Sequence, residues 1–264
     1  MNTFKKYFSL FLLVFSSTIF FSQGKNSYYH SKVFTSRIDT LQYRIMMPDN
    51  FDETKQYPLL LFLHGAAERS NDNKAQLLHG SKFFASKKNR RNFPAIVIFP
   101  QCPKESYWAN VLIDRTSYPL NIDFPTNYAP TKPMKSVMML MDDFASKPFV
   151  NKNQIYVAGM SMGGMGTFEI LYRKPKMFAA AIAICGAGNP KTTVFYAKTT
   201  PLWVFHGAKD NVVNFQSSVE MVEGLKKYGG KPIFTLYPNQ SHNSWDAAFT
   251  EPKLLPWLFS NIKK

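Results

Sequence analysis

Gln154-Ile-Tyr-Val-Ala-Gly-Met-Ser-Met-Gly-Gly-Met-Gly-Thr-Phe168 decides the fold. Ile155 to Ala158 is a short apolar run, Gly159-Met-Ser161-Met-Gly163 has the form G-x-S-x-G, and Met165 to Tyr172 is compatible with a helix. A strand that enters a tight turn and leaves as a helix is the context that a nucleophile elbow requires. The serine must take a strained backbone conformation, and glycines two positions to either side let strand and helix approach without Cβ clashes. At the start of the helix the Ser161 hydroxyl also meets the positive end of the dipole, which favours developing negative charge. An ordinary glycine-rich turn with Ser161 as a helix cap is the plainer alternative. It leaves the acid, base and donor loop described below unexplained.

Outward from this segment, short apolar runs alternate with helix-compatible stretches, the pattern of an α/β fold around a mostly parallel sheet. Strands are expected at Gln42 to Met47, Pro58 to Leu63, Ala95 to Phe99, Ala180 to Ile184, Leu202 to Phe205 and Ile233 to Tyr237. Their continuous apolar character fits strands covered on both faces. Met134 to Ala145, Val219 to Tyr228 and Pro252 to Ile262 read as further helices. Pro103 to Pro133 holds five prolines and little periodicity, and reads as a long excursion over the sheet edge or the site.

In an elbow arrangement the acid and the histidine follow the serine in that order. Two histidines lie beyond Ser161. His242, in Asn-Gln-Ser-His-Asn-Ser-Trp, follows the last strand and fits a general base. Asp210 follows the strand ending at Phe205, so its carboxylate is presented at the carboxyl edge of the sheet, where it can hold the other ring nitrogen of His242. His206 reads as structural, bonding the backbone of the acid-bearing loop, and Asp246 is left for a supporting position. The oxyanion donors are expected from the Met162 amide and from the loop in Leu61-Phe-Leu-His-Gly-Ala-Ala-Glu-Arg69, with Ala66 the first choice and Ala67 the second. No metal or organic cofactor is needed for this chemistry. Trp108, Trp245 and Glu68 are candidates for the substrate pocket, with Tyr107 and Tyr118 in bordering segments.

These residues resemble the α/β-hydrolase superfamily. The resemblance is closest to its secreted esterases known as predicted peptidases, relatives of the phospholipase/carboxylesterase, dienelactone hydrolase and feruloyl or polyhydroxybutyrate esterase groups. It covers Tyr43 to the C-terminus and rests on LFLHGAAERSNDN (61–73), FPQCP (99–103) followed by Trp108, the elbow, ICGAG (184–188), FHGAKDNVV (205–213) and SHNSWDAAF (241–249). The resemblance implies a Ser161, Asp210, His242 triad acting on carboxylic esters through an acyl-enzyme. Acetyl or feruloyl esters of polysaccharides are the substrates it suggests, with a peptidase or depolymerase using the same triad as the nearest alternative. A catalytically silent binding protein on the same scaffold is the alternative outside enzymes. The donor loop of the relatives reads HG-x-G-E-x-G, whereas Ala67 and Ser70 stand here in place of glycines, and a positive φ at either would strain the loop.

Composition supports one domain and excludes several classes. The 264 residues include 41 aromatics and two cysteines, too many rings for a disordered chain and too few thiols for a disulfide scaffold or a zinc ribbon. Residues 1–23, with Lys5 and Lys6 before the apolar run Tyr7 to Phe21, read as a signal peptide, leaving residues 24–264 as a single catalytic domain. The run is shorter than the ~20 residues of a spanning helix, so stable membrane insertion is not expected, and the location is secreted or periplasmic. The 32 basic residues against 17 acidic give +15, but they are scattered in twos and threes without a basic arm, so no nucleic-acid partner is expected. Cys102 and Cys185 each end a different strand, which allows buried free thiols as readily as a disulfide.

Overall fold

The computed structural model describes residues 28–263, so the expected signal peptide and its cleavage site lie outside the described residues. In chain order the strands are β1 (His30–Thr35), β2 (Thr40–Met46), β3 (Tyr57–Leu63), β4 (Ile96–Pro100), β5 (Leu112–Asp114), β6 (Asn121–Asp123), β7 (Val150–Met160), β8 (Ala180–Ile184), β9 (Leu202–Gly207) and β10 (Ile233–Tyr237). The helices are α1 (Ser81–Phe84), α2 (Lys87–Asn92), α3 (Lys132–Ser146), α4 (Met162–Arg173), α5 (Gln216–Lys227), α6 (Trp245–Thr250) and α7 (Leu254–Ser260).

Eight strands form one sheet in the order β1-β2-β4-β3-β7-β8-β9-β10, while β5 and β6 pair apart from it. The β1/β2 and β2/β4 pairs are antiparallel, and every pair from β4 to β10 is parallel. The apolar run of β3 shows why the central strands lack alternation. Leu59, Leu61 and Leu63 enter one core and Leu60 and Phe62 the other, all fully buried, because side chains of successive residues point to opposite faces.

Helix α3 packs on the first face through Met134, Val137, Leu140, Met141 and Phe144, a spacing of three and four residues that makes one stripe. Its start is fixed by Thr131, whose hydroxyl accepts the Met134 N–H at 3.3 Å. On the second face Leu254, Leu255 and Leu258 of α7 close the core. Among the described residues no helix is long and apolar enough to cross a membrane.

Several elements were not anticipated, among them the short helices α1 and α2. Edge strand β1 is exposed along most of its length and carries no alternating pattern. The excursion holds the β5/β6 pair, three residues each, which alternates exposed and half-buried positions. Helix α6 follows directly after His242.

Candidate active site

Parallel strands aim their carboxyl ends at one edge, and the expected residues meet there. Ser161 leaves β7 with φ 53° and ψ −121°, a conformation that costs energy in a residue bearing a Cβ. The flanking glycines let the turn exist: a Cβ on Gly159 would lie 2.1 Å from the Gly163 carbonyl oxygen, and one on Gly163 would lie 1.9 Å from the Leu63 carbonyl oxygen. Helix α4 is thereby pressed against both its own entering strand and neighbouring β3. The Ser161 amide donates to the Ile184 carbonyl of β8 at 2.8 Å, which pins the turn from the other side.

Ser161 Oγ lies 2.9 Å from His242 Nε2, and His242 Nδ1 lies 2.8 Å from Asp210 Oδ2. A carboxylate only accepts, so Nδ1 carries the ring proton and Nε2 is free to accept from the serine hydroxyl. Such a chain can move the Ser161 proton to His242 while Asp210 holds the ring in place.

Asp210 is held rigidly. Its Oδ1 accepts the Val212 and Val213 amides at 2.8 and 3.0 Å, and its Oδ2 also accepts from His206 Nε2 at 3.1 Å. Burial alone would raise this carboxyl. Hydrogen bonds from His206 and His242, the charge of His242 and the Val212 amide outweigh burial and keep it well below the usual carboxylate range. His206, fully buried, also bonds the Val213 carbonyl at 3.0 Å and Ser218 Oγ at 2.8 Å, so it buttresses the acid-bearing loop as its position implied. Asp246 accepts from Asn243 at 3.1 Å instead of supporting the relay. Cys185 floors the site, with its Sγ and the ligating atoms of Asp210 and His242 all within 4.8 Å of one another. Both cysteines are buried free thiols, each raised by burial.

The loop after β3 covers the serine. Ala66–Glu68 forms a single 3-10 turn, and a Cβ on Gly65 would lie 3.7 Å from Ser161 Cβ. Neither Ala67 nor Ser70 takes a positive φ, so the two departures from the glycine pattern cost no backbone strain. Among the described residues the Ala66 and Met162 amides, each at the first position of a helical turn, have no backbone acceptor outside their own turns.

Buried His64 locks the loop. Its Nδ1 donates to the Gly65 carbonyl at 2.7 Å and its Nε2 accepts the Cys102 amide at 2.9 Å, while burial lowers its pKa to about 4 and keeps it neutral. Arg69 adds a second clamp, donating to the Ala66 carbonyl at 2.9 Å with its guanidinium 4.4 Å from the Tyr107 ring centre.

A cavity of about 240 Å³ opens over the elbow. Tyr107, Trp245 and Glu68 line it, as do Ile113, Leu120 and Ile122 from the β5/β6 hairpin. Trp108 does not, and its expected pocket role is corrected. It is fully buried, donates its indole N–H to the His64 carbonyl at 3.0 Å and packs against Gly166. A Trp with its N–H satisfied in the core is a packing residue. Tyr118 is 67% exposed and stands off the cavity wall.

The sheet order, the strained serine turn and the convergence at the strand ends are those of the α/β-hydrolase fold. Within it, the phospholipase/carboxylesterase family model matches residues 123–253, which include Ser161, Asp210 and His242. A thermostable esterase of known structure is 30% identical, with a TM-score of 0.80 over 90% of this chain and 64% of that one. Lysophospholipase-like protein 1 of Mus musculus is 25% identical over 77% of this chain and 86% of its own length. A bifunctional acetylxylan esterase/xylanase of Neocallimastix patriciarum is 30% identical over 99 residues, 37% of this chain and 14% of that protein. The chain therefore spans slightly under two thirds of the esterase structure and a small part of the bifunctional enzyme.

Proposed function

We propose that this chain is a serine carboxylesterase in which Ser161 is the nucleophile, His242 the general base and acid, and Asp210 the residue that orients His242. The observation that carries this reading is the unbroken relay of 2.9 and 2.8 Å contacts on a strained elbow beneath an apolar cavity. Ser161 Oγ attacks the ester carbonyl as His242 Nε2 takes its proton. The Ala66 and Met162 amides receive the oxyanion, and the tetrahedral intermediate collapses when His242 protonates the departing alcohol. Water then repeats the steps and releases the acid.

The cavity is smaller than the roughly 300–1,000 Å³ of sites that enclose drug-sized ligands, which favours short acyl groups over long chains. Similarity to an acetylxylan esterase over part of the chain supports acetyl esters of polysaccharides as natural substrates. The apolar segment Tyr7 to Phe21 is taken as an export signal that places the enzyme outside the cytoplasm. Hydrolysis of p-nitrophenyl acetate, butyrate, decanoate and feruloyl esters tests the reading. The acetate and butyrate are expected to give the highest kcat/KM, and activity confined to decanoate would exclude the short-acyl assignment.

A further inference from the structure

Glu68 is a buried carboxyl of the cavity wall that the catalytic scheme leaves unused. The residue is 3% exposed, and its Oε2 is shielded from solvent with no hydrogen-bond partner among the described residues. Oε1 stands 3.7 Å from His79 Nε2. A buried carboxyl oxygen with nothing to accept is unfavourable, so an orphan of this kind in a native protein calls for an explanation. Burial raises this carboxyl against the opposing pull of His79 and of the Glu68 and Gly65 amides, which approach the carboxyl without completing a hydrogen bond to Oε2.

Position supplies the explanation. A Cβ placed on Gly65 would be 2.9 Å from Glu68 Oε2 and 3.7 Å from Ser161 Cβ, so the free oxygen and the serine border the same few ångströms of space. Glu68 also belongs to the wall that carries the general acid. The His242 ring is 5.5 Å from that of Trp245, the Trp245 ring is 5.1 Å from that of His79, and His79 faces Glu68. Because His242 must hand a proton to the departing oxygen, the alcohol half of the ester lies along this wall. Apolar Met165, Val212, Val213 and Ile122 remain for the acyl half.

We propose that Glu68 accepts a hydrogen bond from a second hydroxyl on the alcohol, adjacent to the scissile oxygen, so that partial esters of polyols and sugars are preferred over esters of simple alcohols. This assignment rests on the ester-hydrolase reading above. An ammonium group would also satisfy Glu68, but Arg115 lines the same cavity and the chain carries +15 overall, both of which disfavour a cation.

The test compares kcat/KM for four butyrates that differ only in the alcohol: 2-hydroxyethyl, 2-methoxyethyl, propyl and 2-(dimethylamino)ethyl. The purified chain is expected to favour the hydroxyethyl ester over the methoxyethyl and propyl esters by about tenfold, the value of one ordinary hydrogen bond. Glu68→Leu is expected to shrink that ratio to within about twofold. Equal rates on the hydroxyethyl and methoxyethyl esters would overturn the proposal on wild-type protein alone, whether or not the variant folds. A preference for the dimethylamino ester, or a Glu68→Leu variant that slows all four esters equally, would also overturn it. Turnover of none of the four would overturn the hydrolase reading together with this one, whereas turnover without hydroxyl preference would overturn this one alone.

Discussion

Replacing Asp210 with Asn tests how the acid works. Oδ1 is held by the Val212 and Val213 amides, so the oxygen of an Asn side chain is kept at that position and its NH2 takes the place of Oδ2. That NH2 then faces His242 Nδ1, 2.8 Å away in the wild type, and His206 Nε2, 3.1 Å away. A donor opposite Nδ1 turns it into the acceptor and moves the ring proton to Nε2, which can no longer take a proton from Ser161.

Loss of the correct tautomer in a relay of this kind lowers kcat by about 10⁴-fold, or roughly 5 kcal/mol of transition-state stabilisation. The second mismatch, at buried His206, costs stability on the order of 1–3 kcal/mol and leaves the fold in place. The assay is kcat for p-nitrophenyl butyrate at pH 7, with a thermal melt on the same sample. A folded Asp210→Asn variant that retains more than a tenth of wild-type kcat would refute the argument that Asp210 sets the His242 tautomer.

Stability should fall in acid because of His64. Its folded pKa of about 4 lies below the unfolded value, so the unfolded chain binds the proton more readily and stability drops as pH falls from about 6.5 to 4, by about 3 kcal/mol. Urea unfolding at pH 7, 5.5 and 4 checks this, and His64→Asn is expected to lose most of the difference; an unchanged pH slope would count against it. Gly163→Ala places a Cβ against the Leu63 carbonyl and is expected to lose both activity and several kcal/mol of stability. Gly188→Ala, which meets side-chain and thioether atoms of Phe168 and Met221 at 3.2 Å, should cost far less by thermal melt. Arg69→Ala frees the donor loop from Tyr107 and should reduce kcat about tenfold with little change in KM, as read from initial rates.

Much of the site was legible because chemistry and local structure coincide in short motifs. The strain at Ser161, the acid beyond β9 and the histidine beyond β10 each follow from a strand end and the residues just after it. The core strands were legible for the same reason that β1 was not. A strand covered on both faces must be apolar throughout, whereas an exposed edge strand such as His30–Thr35 carries no such constraint. The cavity wall was less accessible. Ile113 and Ile122 owe their position to a pair of three-residue strands whose pairing is set by tertiary packing and is too short for a periodic signal. Trp108 misled because an aromatic residue in a long excursion fits a pocket and a core equally well. Only the close approach at Gly166 and the bond to the His64 carbonyl separate the two.

In the proposed mechanism one activated hydroxyl, that of Ser161, carries the chemistry. Intact-mass analysis of the chain after exposure to a fluorophosphonate reports it most directly. A single adduct is expected on Ser161, abolishing ester hydrolysis, with neither adduct nor activity in a folded Ser161→Ala variant. An adduct at another residue, or hydrolysis that survives in that variant, would contradict the mechanism.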